Sequence, residues 1–365
     1  MNKIFCTILL ITIPSVQAQK SVPVPVPAQS VSKVPITSQP AKVPIEENFT
    51  EDTSSIEGIR VPGKTLAEKL AWLQRRADSH NTYILEATAN ENIAPHIFEY
   101  KGAINITVIL KGDAKNRTIR LTSNGTMFSV RRDVTFILDN NITLLGHRRE
   151  VGSMIHISNG GAFVMNSGSA VTGNAETNSN TFGAGIYIEN GGFFTMNGGV
   201  ISDNTTGNKG GGVYVDGTFT MNGGTISGNA ATSGGGVYVA GTFTMNNGTI
   251  IDNEAFRGGG VYNQYGGNSV SFNMLDGYIA GNTAKEYGGG VYVYGEWGAF
   301  TKKKGIITGY NNDEDNGNVV KDAEGILARR GHAVYIDEKR HKESTIDSDL
   351  KLDSRKNGAE GGWDL

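Results

Sequence analysis

A chain of 365 residues with 33 lysines and arginines against 36 aspartates and glutamates carries a formal charge of −3, which leaves no electrostatic footprint for nucleic acid. A lone cysteine, Cys6, builds no disulfide framework, and 50 glycines clustered as GGG and GG without a strict triplet exclude a collagen helix. The apolar runs are too short for a leucine-rich or helical repeat lattice.

Residues 1–18, MNKIFCTILLITIPSVQA, place Lys3 before an apolar run and close on V-Q-A, the pattern of a secretory signal cleaved after Ala18. The run is shorter than the ~20 residues that span a bilayer, so an exported chain with no transmembrane segment is expected once the signal is removed. Residues 19–57 form a Val-Pro, Ser and Ala tract in which proline removes backbone donors and favours extended polyproline II; it reads as a spacer.

Residues 58–147 are expected to hold a capping helix and irregular first coils. Thr65-Leu-Ala-Glu68 is a capping box, and Leu66, Leu70, Leu73 and Ala77 make one apolar stripe. An amphipathic helix here serves to cover the first coil of a repeat array against edge pairing. The runs YILEA, ITVIL, TIRL, TMFSV, VTFIL and ITLL then read as short strands with polar bends.

From residue 148 to 337 one unit recurs. GGGVYVDGTFTMNGGTISGN at 210–229 returns at 234–253 as GGGVYVAGTFTMNNGTIIDN, and the aligned phenylalanines Phe136, Phe163, Phe194, Phe219, Phe243, Phe272 and Phe300 lie 24 to 31 residues apart. Each unit has three short apolar pieces, V-Y-V, F-T-M and T-I-S, parted by Gly, Asn and Asp. Period-two alternation puts Val213, Val215, Phe219 and Met221 on one face and Tyr214, Thr218 and Thr220 on the other. Three strands and three bends make one coil of a right-handed parallel β-helix in which like side chains stack on like. Asn222, Asn229, Asn246 and Asn253 recur at fixed bends as asparagine ladders. FILDNNITLLGH at 136–147 matches FVMNSGSAVTGN at 163–174, with Asp139 and His147 in the asparagine places. GHAVYI at 331–336 is a last echo, and residues 338–365, charged and ending G-G-W-D-L, are expected to form a terminal coil or cap. The fold expected is all-β, a single β-helix with a helical N-terminal cap.

The pairing of GGGV or GAGI with F-x-x-N resembles the GGA[ILV] and FxxN repeats of the chlamydial polymorphic outer membrane proteins and similar adhesin-type bacterial surface proteins. It covers about residues 136–336; F-x-x-N holds from Phe163 to Asn166, Phe194 to Asn197, Phe219 to Asn222 and Phe243 to Asn246 and fails at Phe272 and Phe300. The resemblance is to the passenger part alone, since residues after Ile336 carry no pattern for the β-barrel translocator in which that family ends. It implies a right-handed β-helical passenger exposed on a bacterial surface and used for adhesion.

The same fold hosts pectin-lyase-like polysaccharide enzymes, which need acids converging on one face. Here Asp203 and Asp252 share one bend, Glu189 and Asp216 another, and Asp276 and Glu286 stand elsewhere, so no catalytic residue is nominated. The acidic run at 312–317 fits neither the EF-hand nor the calcium-solenoid spacing, and no metal or cofactor is nominated either. His147, Arg148, Arg149 and Glu150 read as a solvated loop. Tyr187, Tyr214, Tyr238, Tyr262, Tyr292 and Tyr335 share one position in successive coils. Left open, that row is a stripe for stacking on sugars or receiving a protein; covered, the rings only stack on one another. Tyr265, Tyr287, Tyr294, Trp297 and Tyr310 add aromatics on longer late loops. The ligand-contact candidates are Tyr214, Tyr238, Tyr262, Tyr265, Tyr292, Tyr294 and Trp297. The function expected is a non-enzymatic, adhesin-like binding module at the outer membrane surface, outside the cell or in the periplasm, with a host or cell-surface glycan or protein as partner. The alternatives are a polysaccharide-active enzyme and a periplasmic structural spacer.

Overall fold

Strands of two to seven residues, none of which would hold together alone, pair in parallel with their counterparts one coil away. The computed structural model describes residues 57–336 except 151, 177–181, 265–269, 295–298, 310–316, 322–323 and 325–330. The leader, the Val-Pro tract, the charged tail with Trp363, and the aromatics Tyr265, Trp297 and Tyr310 therefore lie outside the described residues.

The chain is a β-solenoid with four stacked sheets. The F-T-M sheet has ten strands, from Ile59–Arg60 to Ala299–Lys302; the V-Y-V and T-I-S sheets have nine each. These are the three strands per coil that the sequence announces. A fourth, seven-stranded sheet runs from Arg148–Glu150 to Val319–Val320 and fills what the sequence presents as a bend before the glycines. Its strands, such as Ala230–Ser233 and Glu254–Arg257, turn small residues inward: Ala255 and Ala284 are buried and in register. One small inward side chain gives no period-two signal, which is why this strand is silent in the sequence.

Register carries each side chain onto its copy. Phe136, Phe163, Phe194, Phe219, Phe243, Phe272 and Phe300 form one column, with ring centres 4.6 to 5.5 Å apart. Met165, Met196, Met221, Met245 and Met274 form a second, also buried. Inward burial of such side chains is the main stabilising term, at ~1.5–3 kcal/mol each.

At the corner between the fourth and V-Y-V sheets the coils approach so closely that only glycine fits. A Cβ on Gly236 would stand 2.6 Å from the Gly260 carbonyl oxygen and 3.1 Å from Asn253 Nδ2. Gly234, at φ +67°, turns the chain into that corner. In the coil of Val334–Ile336 the matching places hold His332 and Ala333, and no described strand stacks beyond it. There His332 accepts the Val320 N–H at Nδ1, 2.9 Å. The echo G-H-A-V-Y-I is thus the glycine corner with His332 and Ala333 in two of its glycine places.

The helix Leu66–Arg76 is capped as expected, with the Glu68 N–H donating to Thr65 Oγ1 at 3.2 Å. Leu66, Leu70 and Leu73 are buried in the same core as the first strands. Lys69 Nζ donates to the Glu86 carbonyl at 2.6 Å and Gln74 Nε2 to that of Glu99 at 2.8 Å, which seats the helix on the first coil.

Candidate functional site

The tyrosine row is in register from His156 through Tyr187, Tyr214, Tyr238, Tyr262 and Tyr292 to Tyr335. It does not stand open. Tyr214, Tyr238, Tyr262, Tyr292 and Tyr335 are all at most 9% exposed, because rings 4.8 to 5.6 Å apart cover each other and the glycine corner, Phe182, Tyr187 and Tyr287 close the sides. Lys209 lies over the row, its Nζ 4.8 Å from the Tyr238 ring centre and 5.8 Å from that of Phe182. The Tyr238 hydroxyl donates to Gln264 Oε1. Burial pushes the Tyr214 hydroxyl up to about 12 and the Tyr238 hydroxyl higher still, with Asp216 and Tyr187 adding to the first and the flanking Tyr262 and Tyr214 to the second. The rings are therefore a second, satellite core. Among the described residues the aromatic that is exposed beside this row is Tyr294, 42% exposed with its ring 6.4 Å from that of Tyr292.

The acids do not converge. Asp203 and Asp252 sit at φ 55° and 56° in a bend that Gly228 and Gly281 fill in the alternate coils at 63° and 61°. That left-handed conformation is one that Asp tolerates among non-glycine residues, so their recurrence has a backbone cause. Two coils separate them, ~10 Å at ~4.8 Å per coil, and burial raises the Asp252 carboxyl. Glu189 lies apart from them, its Oε1 3.3 Å from His156 Nε2. Among the described residues no three His, Cys, Asp or Glu side chains gather as a metal site would require.

The strongest surface feature is one the tyrosine pattern overshadows in the sequence. On the F-T-M sheet the outward side chains form two columns: Thr135, Ala162, Phe193, Thr218, Thr242 and Ser271, and Ile137, Val164, Thr195, Thr220, Thr244 and Asn273. None is charged. Phe193 is 52% exposed and stands beside Ala162 in the coil before it. At the end of these strands a column of exposed or half-exposed amides follows. Asn197 donates to Asn166 at 3.2 Å, Asn222 to Asn197 at 2.9 Å and Asn246 to Asn222 at 2.7 Å. The doublet Phe193-Phe194 was the available signal, since alternation forces one of two adjacent rings outward.

A recess of about 530 Å³ lies between the helix and the first coil, lined by Leu70, Ala71, Gln74, Pro95, His96 and Ile97 among others. Burial holds the His96 imidazole down at about 4, so it is neutral near pH 7.

Compared with family models, with curated proteins and with solved structures, the chain finds no match in any of the three.

Proposed function

We propose that this protein is an exported, non-enzymatic β-solenoid that works by surface contact, an adhesin-like module whose partner is a glycan or protein at a cell surface. The observation that carries this reading is the uncharged outward face of the F-T-M sheet between Thr135 and Asn273, with Phe193 exposed on it and an amide column along its edge. Depletion of charge with an aromatic at the centre is what distinguishes a contact surface from ordinary protein surface. Acids elsewhere occupy bends for backbone reasons, as at Asp203 and Asp252. The leader-like residues 1–18 and the Val-Pro tract support export and display on a spacer. Tyr294, 42% exposed, is a second contact point.

Binding of fluorescently labelled protein to intact cells tests the reading. Thr220→Lys with Thr244→Lys places two cations on the face without touching the core, and at least a tenfold loss of cell binding is expected. Undiminished binding would remove this face from the function. Polysaccharide cleavage by the purified protein that disappears in Asp252→Asn would overturn the non-enzymatic reading.

A further inference from the structure

We infer that the F-T-M face binds a neutral, extended polysaccharide, with one terminal pyranose seated on Phe193 over Ala162; this rests on the contact reading above and names the ligand class. The seat follows from two positions in register. Phe193 projects from its strand, and Ala162, its partner one coil earlier, is the smallest side chain in that column. An exposed apolar ring thus stands beside a position that carries only a methyl group. Phe193, 52% exposed, offers its ring to the axial C–H groups of a pyranose, through the same apolar and electrostatic attraction that drives aromatic stacking.

Beyond Phe193 the face continues as Thr195, Thr220 and Thr244 beside Asn197, Asn222 and Asn246. Each of these amides spends one N–H on its neighbour in the column, which leaves a second N–H and an oxygen lone pair for an outside partner. The donors and acceptors recur at the coil rise, ~4.8 Å, close to the length of one sugar unit in an extended chain. Successive units therefore meet equivalent groups, and a chain lying along the solenoid axis repeats its contacts coil by coil.

The class is neutral because the face from Thr135 to Asn273 has neither sign of charge in its two outward columns. An acidic glycan finds no cation on it, and an amino sugar finds no carboxylate between Thr135 and Asn273 in either column. Charged pairs stand elsewhere: on the fourth sheet Lys285 meets Glu254 at 2.9 Å and Arg257 meets Glu286, and on the F-T-M sheet Arg60 meets Glu86 at 3.2 Å only in its first two strands, before Thr135.

The test is affinity electrophoresis of the full chain in gels containing a neutral β-glucan, a neutral galactomannan, polygalacturonate or chitosan. Retardation is expected in at least one neutral polymer and in neither charged one. Phe193→Ala should weaken it at least tenfold, Phe193→Trp should keep it, and Ala162→Phe should abolish it by filling the place beside the ring. Asn222→Ala with Asn246→Ala should cost several-fold. All these side chains are outward, and unchanged thermal melts will show that the coils are intact. If cell binding persists and falls in the Thr220→Lys, Thr244→Lys variant while no neutral polymer retards the protein, the glycan assignment is overturned and the contact reading stands. If neither cells nor polymers bind, both fall. Retardation that Phe193→Ala leaves unchanged also overturns the seat.

Discussion

Two asparagine columns climb the repeat coils, and the same residue does different work in each. The inner column runs Asn174, Asn204, Asn229, Asn253, Asn282 and Asn318, all at most 1% exposed. From Asn204 to Asn282 each side-chain amide donates both to the next asparagine and to backbone, while at the ends Asn174 donates to the Gly152 and Ala184 carbonyls and Asn318 to those of Ile279 and Thr308. Asn253 Nδ2 donates to Asn282 Oδ1 at 2.9 Å and to the carbonyls of Ile226 and Ile251 at 3.0 Å, while its Oδ1 accepts the Asn229 backbone N–H at 3.0 Å. The outer column, Asn166 to Asn246, bonds chiefly along itself. Its position passes to Asp139 below and to Leu275 above, whereas the inner place holds asparagine in every coil from Asn174 to Asn318. Burial makes the difference: an unmet polar group in the interior costs ~1–3 kcal/mol, and one facing water costs little. The inner column is thus a structural spine, and the outer one is free to face a ligand.

Breaking the spine from the glycine side should have the largest effect. Gly236→Val drives a side chain into the Gly260 carbonyl oxygen and Asn253 Nδ2, and loss of the folded state is expected, seen as loss of the β-sheet circular dichroism signal. Asn253→Ala strands the carbonyls of Ile226 and Ile251 and the amide of Asn229, and a loss of about 4 kcal/mol is expected in urea unfolding. A smaller effect sharpens the contrast between the first coil and the repeats. His96 is held neutral by burial with its pKa lowered to about 4 from 6.5. A lowered pKa stabilises the fold above about 6.5, and that stability is lost as the pH falls toward about 4. Hydrogen exchange should accordingly rise first around the helix and first coil between those values, and His96→Phe should flatten the dependence. Smallest is Asn222→Ala, expected to cost less than about 1 kcal/mol in the same urea experiment, because its amide is exposed.

Much of this is legible in the residues alone. Alignment on the phenylalanines gives the true register, down to Asp139 under Asn166 and His147 under Asn174, because identical side chains repeat at nearly identical intervals and nothing else satisfies them all. The helix cap is legible for the same local reason, Thr65 with Glu68. The fourth sheet is not, since alanines such as Ala255 and Ala284 look alike in a strand and in a bend. Nor does the row of tyrosines declare whether it is open. Its cover comes from Phe182, Lys209 and the glycine corner, which are near in space and belong to different coils. Phe193 is passed over because the column position is read from Phe194, and its outward neighbour looks like surplus. The two asparagine columns are both visible as recurring letters; only packing separates the spine from the rim.

The most direct test of that separation is side-chain amide hydrogen exchange by NMR. The Nδ2 protons of Asn229, Asn253 and Asn282 are expected to exchange orders of magnitude more slowly than those of Asn197, Asn222 and Asn246, because exchange of the first set requires the coils to open. Equal rates in the two columns would contradict the account.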